Sequence, residues 1–337
     1  MATIYDIANL SNTSIATVSY VLNGNGDKHR ISKATQEKIL AVAESLNYRP
    51  NTSAKRLSTD KQQRLSIALF WPNCNFEQAI ISTLRAVNDL TKLSTEEPEL
   101  SIQFYEPGCL SDKMDLLTSQ AYNGIILSGA GENDLAFLSE HKPTTPLVLV
   151  NRTLEGFPSV SIDHARAGRL ACDLAYGKGG DSVTSVWEQQ YHVATNQRYT
   201  AFTERCAELG IDLSGKQFYC DGTEEDGYAV GIRMAQKKQI SKVIFCNHEG
   251  IARGLLTALN EFGVAVGQDV FLLTTSVGPS SLCRFCSPSI TSIDLKMQAV
   301  AENALKLCLG LMSRQADPQT TITLQPEVVF RDSFPTD

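Results

Sequence analysis

The sequence predicts a mixed α/β chain: a small all-helical head joined to a long body built on parallel sheets. Three observations carry this. Residues 3–24, TIYDIANLSNTSIATVSYVLNG, read as two short helices around a tight turn. From residue 65 onward, short apolar runs alternate with amphipathic segments, the pattern of strands buried on both faces by helices. The charge also changes sign between the two parts. Residues 1–64 hold nine Lys/Arg and five Asp/Glu, a balance of +4, and the remainder holds 21 and 32, a balance of −11, summing to the chain's −7. A basic head on an acidic body suits a head that meets a polyanion.

In the head, Ile4, Ile7 and Ala8, then Val18, Val21 and Leu22, follow the spacing of one helical face. Between them Asn12 tolerates a left-handed turn, and Ser14 is placed to cap the second helix. The opposite face, Ser14, Ile15, Ala16, Thr17, Ser19, Tyr20 and Asn23, carries no charge. A solvated face usually carries Lys and Glu, whereas short and hydroxylated side chains let a helix approach phosphates and base edges. The layout is that of a helix-turn-helix, whose second helix enters the DNA major groove. A turn-rich break and the basic run Lys28-His29-Arg30 follow. Ser32 then caps a third helix with apolar positions Ile39, Val42, Ala43 and Leu46. Pro50 closes this unit. Residues 51–57 are helix-compatible but only about two turns long, too short to stand alone in water. They read either as an ordinary linker or as a segment that folds on DNA, with Lys55 near phosphate and Leu57 wedged into the minor groove.

In the body, apolar runs begin at residues 65, 101, 124, 147, 183, 216, 242 and 270. Helix-like segments lie at 77–93, 113–122, 165–177, 197–209 and 251–262. A break near residues 159–163 divides the alternation into two comparable sets, so two α/β lobes are expected. With 337 residues, 42% hydrophobic and 20% charged, the chain has ample length for such cores. No apolar run reaches the length of about 18 residues that a membrane span needs. The first ten residues lack the pattern of a secretory signal. Nine irregularly spaced cysteines suit reduced thiols in a cytoplasm better than a disulfide framework.

The words TIYDIANL, SIATVSYVLNG, ISKATQEKIL and NYRPN followed by AKRL, in this order and spacing, resemble the DNA-binding domain of the lactose/galactose repressor (LacI/GalR) family of bacterial transcription regulators. The resemblance implies that Ile15, Ala16 and Tyr20 face bases. It sets Thr3, Tyr5, Ser14, Thr17, Ser19, Asn23 and Thr35 near the sugar-phosphate backbone. It makes 51–57 a hinge helix, with Asn51, Ala54, Lys55 and Leu57 at the DNA. Tyr20 stands where the family most often has Arg, and a phenol cannot make the bidentate bond to guanine. Asn12 replaces the usual turn Gly, and the 24–30 loop is longer than in the lactose repressor.

The body resembles the family's periplasmic-binding-protein-like effector domain more loosely. The landmarks are NRTLEGFPSVSIDHARAG, FTERCAELGI, KVIFCNHEGIARGLLTALNEFGV, ITSIDLKMQAVAENAL and PEVVFRDS. The resemblance implies three chain crossings between lobes and a small ligand in the cleft. Lobe one is expected at 65–161 plus 291–318, and lobe two at 162–290 plus 319–333, after a head at 1–50 and a linker at 51–64. Family pocket positions fall on Phe76, Asn151, Asn196, His248 and Ser276. At three of these the usual residues are replaced: the Arg clamp reads Asn196, the Asn-Asp pair reads His248-Glu249, and an Asp reads Ser276. The effector is expected to be a sugar or related metabolite, and the replacements imply either that it is not a standard monosaccharide or that the pocket responds weakly.

Other signals are set aside. Cys283-Arg284-Phe285-Cys286 has no second Cys-x-x-Cys or spaced His pair to complete a metal site. The glycines at 177–180 lack the Lys-Ser/Thr of a phosphate loop. Glu224-Glu225-Asp226 reads as a solvated helix start. The expectation is a cytoplasmic, non-enzymatic repressor without cofactor or metal. Its partners are double-stranded DNA with a near-palindromic operator, a small-molecule effector and a second copy of the chain. The acidic tail, lacking apolar heptads, favours a dimer. The competing readings are a transport-type sugar-binding protein, which leaves the head unexplained, and a carbohydrate-active enzyme, which rests on fold alone.

Overall fold

The computed structural model of the chain describes residues 4–22, 26–46, 65–73, 81, 83–85, 89, 98–118, 121–189, 193–278 and 281–336. The chain divides into two units, Met1–Gln63 and Arg64–Asp337.

The first unit holds α1 (Ile4–Ser11), α2 (Ile15–Leu22) and α3 (Lys33–Ser45). Ile7, Ala8, Val18, Val21, Ile39 and Ala43 form its apolar centre, as the spacing requires. The turn after α1 closes at Asn12, whose φ of 51° is left-handed. The Ser14 hydroxyl accepts from Thr17 N at 3.1 Å and Ser32 accepts from Thr35 N at 3.2 Å. Each such cap contributes about 1 kcal/mol, which matters in a core this small.

The second unit is built on two six-stranded sheets. The first contains β1 (Ser66–Pro72), β2 (Glu99–Tyr105), β3 (Gly124–Ser128), β4 (Leu147–Val150) and β5 (Ser159–Ile162). The second contains β6 (Val183–Glu188), β7 (Gln217–Cys220), β8 (Val243–Cys246), β9 (Phe271–Ser276) and β10 (Thr291–Asp294). Two short late strands, β11 (Thr321–Leu324) and β12 (Glu327–Val329), complete them: the orders are β11-β5-β4-β3-β1-β2 and β12-β10-β9-β8-β6-β7. All pairings are parallel except β12 against β10. The helices are α4 (Met114–Thr118), α5 (Glu132–Glu140), α6 (His164–Gly179), α7 (Val193–Glu208), α8 (Glu224–Gln236), α9 (Glu249–Glu261), α10 (Ser281–Arg284) and α11 (Met297–Met312).

The topology differs from the expected lobe boundaries at two points. Residues 159–162, near which the alternation was expected to divide, form a strand paired with β4 just ahead of the division, with Ser159 buried. Thr291–Asp294 pairs with β9 and belongs to the second sheet, not the first. Thr321–Leu324 pairs with β5 and belongs to the first sheet, not the second. The chain therefore passes between lobes three times: at Asp163, at Leu295-Lys296 and at Gln325-Pro326.

Each sheet is covered on both faces. Val148, Val160, Val300 and Leu305 pack on one side of the first sheet; Phe70, Leu127, Leu138 and Leu149 pack on the other. In the second lobe, Trp187 lies 5.0–5.5 Å from the rings of Tyr199, Phe202 and Phe245. The opposite face buries Val230, Met234, Ile251 and Leu255 between β8 and the α8–α9 pair. These two helices approach so closely that a Cβ on Gly254 would sit 1.8 Å from the Glu224 carbonyl oxygen, so only glycine fits there. Among the described residues no helix is long and apolar enough to cross a membrane.

Candidate nucleic-acid interface and ligand site

The candidate reading face of the head lies on α2. With Val18 and Val21 committed to the core, the helix leaves Ser14, Ile15, Ala16 and Tyr20 exposed and Thr17 and Ser19 half-buried. Ile15 and Tyr20 stay 41% and 40% exposed, although a large apolar group in so small a domain gains by burial. Tyr5 on α1 is 63% exposed, and Thr35 at the start of α3 is half-buried. The hydroxyls sit at helix starts: Ser14 Oγ lies 2.8 Å from Thr17 Oγ1, and Ser32 Oγ lies 2.7 Å from Thr35 Oγ1. Such termini offer backbone N–H groups suited to phosphate. Thr3, Asn23, Asn51, Ala54, Lys55, Leu57 and Phe76 lie outside the described residues, as do the 51–64 linker and most of 77–93.

In the second unit a cavity of about 540 Å³ opens between the lobes. Asn151 and Arg152 line it from the first lobe, Asp163 and His164 from the crossing, and Asn196 and Gln197 from α7. Asn151 holds a left-handed φ of 55°, and its Oδ1 accepts from Ile162 N at 3.3 Å, so it ties the end of β4 to the end of β5. His248 and Ser276 do not line this cavity. They lie at the ends of β8 and β9, where His248 caps α9 by accepting from Gly250 N at 3.2 Å. Glu249 beside it is fully buried and accepts from Val277 N at 3.0 Å and Gly278 N at 2.8 Å.

Asn196, where the resemblance leads one to expect an arginine, is followed two positions on by Arg198, a buried arginine of the same helix. Asn196 is on the exposed face of α7, whereas Arg198 is 5% exposed and donates three bonds. Nε reaches Asn247 Oδ1 at 2.9 Å, Nη1 reaches His164 Nδ1 at 3.0 Å and Nη2 reaches Thr195 Oγ1 at 3.1 Å. One guanidinium thus joins α6, α7 and the end of β8. A signal for it was present: Thr195, Arg198, Ala201, Phe202 and Cys206 form the buried stripe of α7 at helical spacing.

Burial dominates the electrostatics. It pulls the Arg198 guanidinium down to about 10, with Glu188 and Glu249 opposing. It pushes the Glu188 carboxyl above its ordinary range. It holds His164 well below 6.5, with Arg198 and Arg152 adding to the effect. Since arginine can only donate, His164 Nδ1 is the acceptor and the neutral ring carries its proton on Nε2. That Nε2 and Asn247 Nδ2 are buried without a hydrogen-bond partner among the described residues, at a cost of about 1–3 kcal/mol each. Arg152 donates to the carbonyls of Ala130 and Asn151 and is likewise lowered, chiefly by burial.

Cys283 is buried in the second-lobe core, and the Cys286 thiol donates to the Leu282 carbonyl at 3.3 Å; both are free.

Two family models match the chain. "Bacterial regulatory proteins, lacI family" covers residues 3–51, the helical unit, and "Periplasmic binding protein-like domain" covers 176–334. The chain belongs to the LacI/GalR family. As a LacI-family member it is a DNA-binding transcriptional repressor with a periplasmic-binding-protein-like domain. It is 23% identical to the HTH-type transcriptional repressor PurR of Mannheimia succiniciproducens, over 99% of this chain and 98% of that one. Its fold matches a LacI family transcription regulator from Clostridium acetobutylicum with a TM-score of 0.75 at 21% identity, covering 79% of this chain and 99% of that one. It also matches the lac repressor dimer bound to operator and an anti-inducer, at a TM-score of 0.70 and 20% identity over 99% of each chain. The LacI-family relatives are regulators rather than enzymes.

Proposed function

We propose that the chain is a homodimeric repressor whose hold on a near-palindromic operator is set by a small polyhydroxylated metabolite, a sugar or close relative, bound between the lobes. The observation that carries this is the cavity of about 540 Å³, to which both lobes and the first crossing contribute. Its size lies within the range of small-molecule sites, roughly 300–1,000 Å³. The amides of Asn151, Asn196 and Gln197, the hydroxyls of Thr153 and Thr200 and the carboxylates of Asp163 and Glu204 suit a ligand rich in hydroxyls. His248, next in the chain to the Asn247 that Arg198 binds, and Ser276 at the end of β9 are the further second-lobe candidates, and Phe76 is the first-lobe candidate.

On the DNA side, Ile15, Ala16 and Tyr20 meet base edges. Thr3, Tyr5, Ser14, Thr17, Ser19, Asn23 and Thr35 meet the backbone. Asn51, Ala54, Lys55 and Leu57 form the minor-groove hinge. The domains in this reading are the head at 1–50, the hinge at 51–64 and the body at 65–337, which also dimerises. The dimer reading draws on the operator-bound lac repressor, a dimer by its own description. Of the helices expected to dimerise, α9 buries most of its length inside its own lobe and leaves Thr257, Asn260 and Glu261 outward or half-outward. Such a repressor works where its DNA is, in the bacterial cytoplasm. Ligand binding acts by preferring one lobe arrangement, and so shifts the population that holds DNA.

Thermal unfolding of the full chain against a panel of monosaccharides, sugar acids, glycosides and nucleosides tests this. A true effector at about 100 times its Kd stabilises by about 2.7 kcal/mol. It also alters affinity for operator duplex selected from random DNA. Thr200→Trp, which fills the cavity mouth, abolishes both effects. A hit that survives Thr200→Trp unchanged refutes this cavity as the effector site.

A further inference from the structure

The Tyr20 ring does not stand alone on α2. The His29 imidazole lies against it, with centroids 3.6 Å apart and planes 13° from parallel. His29 belongs to the turn at residues 26–30, closed by Arg30 N donating to the Asp27 carbonyl at 3.1 Å and Ile31 N to the Gly26 carbonyl at 2.9 Å. Asp27 fastens that turn to α3: Oδ1 accepts from Gln36 Nε2 at 2.8 Å and Oδ2 from Lys33 Nζ at 3.0 Å. Gln36 Nε2 also donates to the Ile31 carbonyl at 2.8 Å. A Cβ on Gly26 would sit 2.5 Å from Gln36 Cδ, so glycine lets Gln36 close over the turn. A continuous set of contacts therefore runs from α3 through Asp27 and the turn to His29, and from His29 to the ring of Tyr20.

We propose that His29 is a positioning residue for sequence reading: by stacking on Tyr20 it fixes the plane of the phenol and the direction of the hydroxyl that α2 offers to a base edge. A phenol turns about two side-chain bonds and carries one hydroxyl. A single hydroxyl distinguishes bases only if it arrives at a fixed place in the groove. The stacked imidazole covers one ring face and leaves the phenol edge and oxygen for the DNA. Because the turn is held to α3 rather than to α2, the ring is braced from outside its own helix. The proposal rests on Tyr20 being a base-facing residue.

Site selection from a random duplex library with the full chain tests it, using wild type, His29→Ala, His29→Phe and Tyr20→Ala. His29→Ala is expected to broaden base preference at the same half-site position that Tyr20→Ala broadens. Its affinity for the wild-type selected duplex falls by about tenfold, and its affinity for random-sequence duplex changes by less than about twofold. His29→Phe keeps a stacking ring without imidazole N–H groups and restores the narrow preference. If His29→Ala keeps the wild-type preference while Tyr20→Ala alters it, the proposal is overturned and Tyr20 reads unaided. If His29→Ala weakens selected and random DNA alike, or His29→Phe fails to restore the preference, stacking is not its role. If Tyr20→Ala leaves every position unchanged, the underlying reading of Tyr20 has failed, which is a separate result.

Discussion

Replacing Arg198 with methionine is expected to destabilise the second lobe by about 2–5 kcal/mol. Methionine retains much of the side-chain volume, so the cavity contribution is small. What is lost is the set of bonds to Asn247, His164 and Thr195. Charge-assisted bonds contribute about 1.5–3 kcal/mol each before the cost of burying the charge. That cost is visible in the guanidinium, pulled from its ordinary 12.5 to about 10. At about 1.4 kcal/mol per tenfold change, the variant recovers about 3 kcal/mol. The balance remains a loss, consistent with breaking a buried charged network. The neighbouring helix cannot close in, since a Cβ on Gly168 would already sit 2.2 Å from the Arg198 carbonyl oxygen. The chain has two tryptophans, Trp187 in the second-lobe core and Trp71 in the first. Urea unfolding followed by fluorescence in a Trp71→Phe background therefore reports on the second lobe alone. With a slope of about 3 kcal/mol per molar, the midpoint should fall by about 1 M. An unchanged or higher midpoint would falsify the claim that the three bonds outweigh the buried charge.

Two further outcomes follow from the same geometry. His164 is held well below 6.5, so below about pH 6.5 the unfolded chain takes up a proton that the folded chain refuses. Its contribution to stability is full above pH 6.5 and is lost as pH falls. Glu188, raised above 4.5, acts in the opposite sense nearer its own range. His164→Gln should flatten the fall in urea midpoint between pH 7 and 5.5; equal falls in both proteins would contradict a buried neutral ring. In the first lobe, buried Asp134 accepts from Gly108 N and Leu110 N at 3.0 Å and from Gly131 N at 2.8 Å. Asp134→Ala strands three amides and should cost about 2–4 kcal/mol in unfolding followed by Trp71. Asp134→Asn, which keeps an acceptor oxygen, should cost less, and equal losses would show that the amides do not depend on it.

The head was largely legible because its signals are local. Caps at Ser14 and Ser32, a left-handed Asn12 and one apolar stripe per helix are each decided within four residues of chain. The eight apolar runs of the body also mark strands: six are buried on both faces, and the edge strands β2 and β7 carry apolar runs although they are only partly buried. The lobe assignment was not legible. β11 and β12 are short, and their side chains are only exposed or half-buried, so neither stands out as a buried strand. β11 joins a strand more than a hundred positions earlier, and β12 joins β10 across a whole intervening helix and strand. β5 was hidden by its two serines, because hydroxyls read as a break unless their burial is known. The role of Arg198 as the tie between α6, α7 and the end of β8 was not singled out, although it lies on the buried helical stripe of α7.

The interleaving of the late strands bears on how the molecule is made. β11 adds the outer edge to a sheet whose other strands end at residue 162, and β12 caps the second sheet after the chain has crossed again. During synthesis, a first lobe emerging from the ribosome therefore waits for more than 150 further residues before its edge at β5 is covered. An unpaired parallel edge is a ready template for a neighbouring chain. Slow translation or truncation before residue 321 should expose both lobes to mispairing at once. Deleting residues 321–336 should then yield aggregates rather than a protein missing only its tail.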